Sequence, residues 1–147
     1  MVNEIVERET IRSLTIQYCF TADREDGAGW ADCFTENAVV DFGPIGAVKG
    51  RAAIREMFPG IVQVWSFMHH QVMNHHITLD GPDRARGICY FDFRGIHAGE
   101  AWVGNGTYED RFEREAGQWK IAERRATFRL LVPLKTGWGE KQVILPA

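Results

Sequence analysis

The run Met68-His69-His70-Gln71-Val72-Met73-Asn74-His75-His76-Ile77-Thr78-Leu79 reads as an extended strand, ended by the turn signal Asp80-Gly81-Pro82-Asp83. Three more strand-like segments follow, over residues 85–95, 101–114 and 118–131, with Glu115-Ala116-Gly117 as the turn between the last two. Upstream the pattern is helical. Residues 4–22 carry Ile11, Leu14 and Tyr18 on one stripe, behind Asn3 as cap and Glu4 and Glu7 in the first turn. A short helix is expected over 28–35, with Trp30 and Phe34, and a brief strand over 38–42. Gly43-Pro44-Ile45-Gly46 reads as a turn, and a third helix over 50–58 should be stopped or kinked by Pro59-Gly60. Helices first and antiparallel strands afterwards specify an α+β fold with the helices on one face of the sheet. Gly95, Gly99, Gly104 and Gly106 are candidate bulge or bend positions, and a sheet curled at such points encloses a cone.

The length of 147 residues fits a single domain with a substantial core. A net charge of −3 and the lack of a basic run argue against nucleic acid as a partner. No apolar run reaches membrane length and no signal peptide is evident at the N-terminus, so the expectation is a cytoplasmic protein that spans no membrane. Cys19, Cys33 and Cys89 are odd in number and widely spaced, which fits reduced, buried thiols. The tail over 133–147, with Val143, Ile144 and Leu145, is expected to cover a pocket or a subunit contact. The outer face of a curled sheet needs cover, so a homo-oligomer is expected.

Asp23 falls at the C-terminal end of the first helix, where the dipole disfavours an anion, so it should need a partner. A histidine from the strand over 68–79 can supply one inside a curved sheet. Such a pair moves protons, because the carboxylate holds one tautomer and stabilises the imidazolium that forms. Strict alternation places His70, Val72, Asn74 and His76 on one face of this strand. His69, Met73 and Ile77 then take the other face, and His75 turns away with His69. Two histidines on one face would bind zinc only with a third ligand from elsewhere, and no Cys-x-x-Cys or His-Glu-x-x-His is present, so no metal is expected. One of Arg124 and Arg125 must point inward, where it can bind an anionic group or pair with Asp41 or Asp23. Asp26 is a competing acid in a solvated turn, and Trp65, Phe42, Phe20 and Tyr108 are candidate pocket walls.

Across residues 10–130 the chain resembles the SnoaL-like family of the nuclear-transport-factor-like cone superfamily. The residues that carry the resemblance are Ile11, Leu14, Tyr18 and Asp23, then Trp30, Phe34 and Ala38-Val39-Val40, then Gly50-Arg51 and Ile54. His70 with Asn74, Gly106 with Tyr108, and Gly117 with Trp119 and Ile121 complete it. The nearest likeness is to the branch of scytalone dehydratase, bile-acid dehydratase and hexachlorocyclohexane dehydrochlorinase. The resemblance implies a cone-shaped α+β barrel with Asp23 and His70 as a catalytic dyad and Tyr18 as the catalytic tyrosine. It favours Arg124 as the inward arginine; Arg124 and Asn74, with the candidate walls Trp65, Phe42 and Tyr108, make up the expected substrate-binding set. It implies a cofactor-free lyase acting on a hydrophobic small molecule, and a trimer in preference to a dimer. An isomerase or cyclase using the same dyad, and a non-catalytic binding domain, stay open.

Overall fold

The computed structural model describes residues 3–137, so Val143, Ile144 and Leu145 lie outside the described residues. Helix α1 spans Glu4–Asp23, and the Asn3 side chain caps it by accepting from the Ile5 and Val6 amides. Helix α2 (Gly27–Asp32) is shorter than expected because Phe34 already begins strand β1 (Phe34–Asp41). A 3₁₀ turn (Gly43–Ile45) leads to the short strand β2 (Ala47–Lys49), which the sequence pattern did not suggest. Helix α3 (Arg51–Val64) runs through Pro59. The missing amide of Pro59 would have bonded the carbonyl of Arg55; both residues lie on the exposed side, where water reaches that oxygen, while Ile54 and Phe58 anchor the other side in the core. Strands β3 (Phe67–Leu79), β4 (Arg84–His97), β5 (Glu100–Glu115) and β6 (Gln118–Pro133) follow, each starting and ending within two residues of expectation.

The six strands form one sheet in the order β2-β1-β6-β5-β4-β3. All neighbours are antiparallel except β1 and β6, which run parallel. The helices cover the concave face, and the core between them holds Ile11, Trp30, Phe34, Ile54, Phe91 and Phe112. No helix among the described residues is long and apolar enough to cross a membrane.

One irregularity changes the inner surface. The β3–β4 register slips between Met73 and His76, so Asn74 and His75 together oppose Cys89, and Asn74 takes a φ of 54°. Alternation therefore shifts by one. Met68, His70 and Val72 face inward before the bulge, and His75, Ile77 and Leu79 after it. The expected placement of Asn74 and His76 beside His70 is thus corrected: both are exposed, and His75 and Ile77 take the inner face.

Gly106 sits at a second bulge, between Asn105 and Gly106 of β5. A Cβ there would lie 2.1 Å from the Thr127 carbonyl oxygen and 2.8 Å from the Phe91 ring. Gly106→Ala should lower stability by about 1–3 kcal/mol in urea unfolding. Gly60→Ala, with open space around its Cβ in α3, should raise it by about 0.5–1 kcal/mol in the same measurement.

Candidate active site

Strand β3 is the free edge of the sheet, so alternate backbone N–H groups along it have no ladder partner. Helix α1 packs along this edge and supplies partners. Arg8 donates to the Ile77 carbonyl, and the Asp23 carboxylate accepts from the His70 backbone amide at 2.9 Å. The other oxygen of Asp23 lies 2.6 Å from Nδ1 of the His70 ring. Two contacts to one residue hold both the main chain and the imidazole. The side chains are only 13% and 14% exposed, so the contact is shielded from bulk water yet open on one side. With Nδ1–H turned to the carboxylate, Nε2 carries the free lone pair.

His70 is part of the wall of a cavity of about 520 Å³ between the helices and the concave sheet. Phe93 packs against its ring at 5.0 Å between centroids. Tyr18, Phe42, Trp65 and Tyr108, all expected at the site, also line this cavity. Trp30, Met68, Phe58, Phe93 and Phe128 join them; apolar periodicity marks such residues as core, and nothing in the sequence separates a core aromatic from a cavity wall. Phe20, by contrast, is exposed. Among the described residues, His70 is the one side chain of the lining that can carry a positive charge, and no Asp, Glu, Lys or Arg contributes to it. Asp26 caps α2 by accepting from the Gly29 amide and takes no part.

A SnoaL-like domain model matches residues 3–125. The chain belongs to the SnoaL-like family. A variant of Rv3472, a Mycobacterium tuberculosis protein of unknown function, is 33% identical over 86% of this chain and 75% of its own, with a TM-score of 0.79. A Novosphingobium aromaticivorans protein provisionally named an aromatic ring hydroxylase is 30% identical, covering 89% and 96% of the two chains, with a TM-score of 0.81. The hexachlorocyclohexane dehydrochlorinase LinA type 2 is 18% identical over 89% and 90%, with a TM-score of 0.84, and shares the fold.

Two sequence-based assignments to this SnoaL-like site need correction. Asn74 is carried outward by the bulge and does not reach the cavity. Arg124 is inward but fully buried, and its guanidinium lies behind the cavity wall. Its partner is neither Asp41 nor Asp23. Asp110, directly across from it in the β5–β6 ladder, accepts from Nε at 2.8 Å and Nη2 at 2.7 Å. Tyr18 and Tyr108 flank the same guanidinium, whose carbon lies 4.2 and 4.1 Å from their ring centroids. Asp41 is left to Arg125, at 3.9 Å. Asp110 was discoverable from alternation, because it shares the inner face with Tyr108 and Phe112.

Beneath this layer, His75, Cys89 and Asp110 present ligand atoms within 4.8 Å of one another. Both oxygens of Asp110 already accept from Arg124, and a metal cation would face that guanidinium directly. Burial also pushes the Cys89 thiol up to about 12, against the thiolate a metal would need. The trio therefore fits a metal poorly.

Burial holds His75 low, at about 4, although nearby Asp110 pulls the other way. Its Nε2 is buried without a partner. The ordinary imidazole value is about 6.5, so between these limits the unfolded chain binds a proton that the folded chain does not. His75 thus contributes stability in full above about pH 6.5, and this is lost as pH falls toward 4. In urea unfolding, His75→Gln should flatten that acid limb relative to wild type.

Proposed function

We propose that this protein is a cofactor-independent lyase that removes a carbon-bound proton from an uncharged, hydrophobic small molecule and expels water or another small leaving group. The observation that supports this reading best is the Asp23–His70 contact at the wall of an apolar cavity. Asp23 orients the ring and stabilises the imidazolium. His70 Nε2 faces the substrate as general base, and Tyr18 provides a hydroxyl for the departing oxygen or the developing oxyanion. The walls exclude water, which strengthens each electrostatic contact in the transition state. Among the described residues the lining has no acidic, lysine or arginine side chain, which suits a neutral substrate, since a carboxylate or phosphate would meet no permanently charged cation there. The dehydrochlorinase LinA, with the same fold, performs an elimination, which agrees with this reaction class.

The test is a screen of neutral cyclic β-hydroxy ketones and chlorinated cyclohexanes, followed by loss of the leaving group and by deuterium exchange at the acidic carbon. His70→Ala and Asp23→Asn should each lower turnover by about 10²–10⁴-fold on any compound converted, with circular dichroism unchanged. Two folded variants that keep wild-type turnover would end the reading.

A further inference from the structure

We propose that Gly60 is the gate of the cavity: the side chain missing at this position keeps open a gap between helix α3 and the segment 45–48, and through it a neutral, apolar molecule reaches His70. The inference rests on the reading of the site above and adds to it a residue that controls entry.

Nothing in the packing asks for glycine at position 60. It lies inside α3, where glycine weakens a helix relative to alanine. Pro59-Gly60 would suit a turn, yet the helix runs on to Val64. Every other described glycine answers a requirement. Some take a positive φ, as Gly50 does at 91°. The rest have a neighbour at 3.0 Å or less from where a Cβ would stand, as Gly27 has in the Phe58 ring. Gly60 has no positive φ, and a Cβ there would meet nothing within 4 Å among the described residues.

Its place in the cavity supplies the reason. Met57, Gly60, Ile61 and Val64 fall on one stripe of α3 at spacings of three and four, and all four line the cavity. Exposure locates the mouth. Among the described residues, two of the lining are exposed: Gly60 and, at 60%, Ile45 of the 3₁₀ turn. Val48 and Met57 beside them are half-buried, whereas Trp30, Phe91 and Tyr108 are buried. The described rim is apolar, which suits an entrant that carries no charge.

The same helix leads from the mouth to the imidazole. Val64 stands one turn beyond Gly60, about 6 Å along the axis. The ring of the next residue, Trp65, is 4.8 Å from that of Phe93, and the Phe93 ring is 5.0 Å from that of His70. A side chain at position 60 would therefore fill the opening at one end of this wall and leave the imidazole at the other end untouched.

The probe is prodan, a neutral naphthyl ketone whose fluorescence rises in apolar surroundings, mixed with the protein by stopped flow. Gly60→Leu and Gly60→Trp should each slow its entry at least about tenfold. Gln63→Leu, on the same helix but outside the cavity lining, should leave the rate unchanged. Gly60→Cys tests the gap within one folded protein. Cys19, Cys33 and Cys89 are buried, so benzyl methanethiosulfonate meets the new thiol first and joins a benzyl group to it as a disulfide, releasing methanesulfinate. The adduct should slow entry, and dithiothreitol should restore it. Wild-type entry rates in Gly60→Leu, Gly60→Trp and the benzyl adduct overturn the proposal, as does a wild-type protein that admits no prodan. Entry is read without turnover. Failure of the gate therefore leaves the test of His70→Ala and Asp23→Asn standing, and failure of that test leaves the entry rates standing.

Discussion

The contact between Asp23 and His70 is at once a fastening and the centre of the proposed chemistry. An edge strand leaves backbone donors unpaired, and a carboxylate at the last turn of a helix faces an unfavourable dipole. Each defect is removed by the other, since Asp23 accepts from the His70 amide and meets its ring. The helix cannot shift along the sheet without breaking the pair that orients the imidazole. Docking of α1 and orientation of the imidazole are therefore one equilibrium, and the geometry of the proposed base inherits the rigidity of the fold.

The second organising element is the buried Asp110–Arg124 pair. Ion pairs without solvent contact are costly to desolvate and persist where further contacts share the charge. Here two tyrosine rings lie against the guanidinium, and both oxygens of Asp110 accept from it. The interior is thus layered. Charge is confined beneath the two tyrosines, and the cavity above them is apolar apart from His70 and the aromatic donors. Among the described residues, this separation keeps the carboxylate and the guanidinium out of the cavity lining.

Much of the architecture was legible because it depends on local patterns. Periodicity gave α1 and its cap, turn residues separated the four long strands, and the isolated Asp23 announced its need for a partner. What escaped depends on relations between elements. Pro59-Gly60 reads as a stop or a kink, yet α3 continues to Val64 because the unbonded carbonyl is exposed while Ile54 and Phe58 hold the helix to the core. Arg124 was correctly turned inward, but its function as a pocket residue did not follow, because only cross-strand register reveals Asp110 opposite it. The wall residues Met68, Phe58 and Phe93 look like any core side chain; a hollow is a property of packing and has no one-dimensional signature.

The bulge in β3 shows how much rests on one extra residue. Strict alternation would have put Asn74 and His76 on the face of His70 and sent His75 to solvent. The slip opposite Cys89 reverses this, so a single strand delivers two imidazoles to the interior in different surroundings. His70 meets a carboxylate on one nitrogen and the cavity with the other. His75, half-buried, lies beside Cys89 and Asp110, its Nε2 without a partner among the described residues and burial holding it neutral. A base needs both a group to stabilise its protonated form and access to a substrate. Among the five histidines in the chain, His70 meets both conditions by position: His69 and His76 point outward, His97 binds the Val64 carbonyl, and His75 is outside the cavity lining. The bulge therefore does more than bend the strand. It keeps a second imidazole out of the described cavity lining, so that in the proposed reaction His70 alone of the five histidines is placed to accept a proton there.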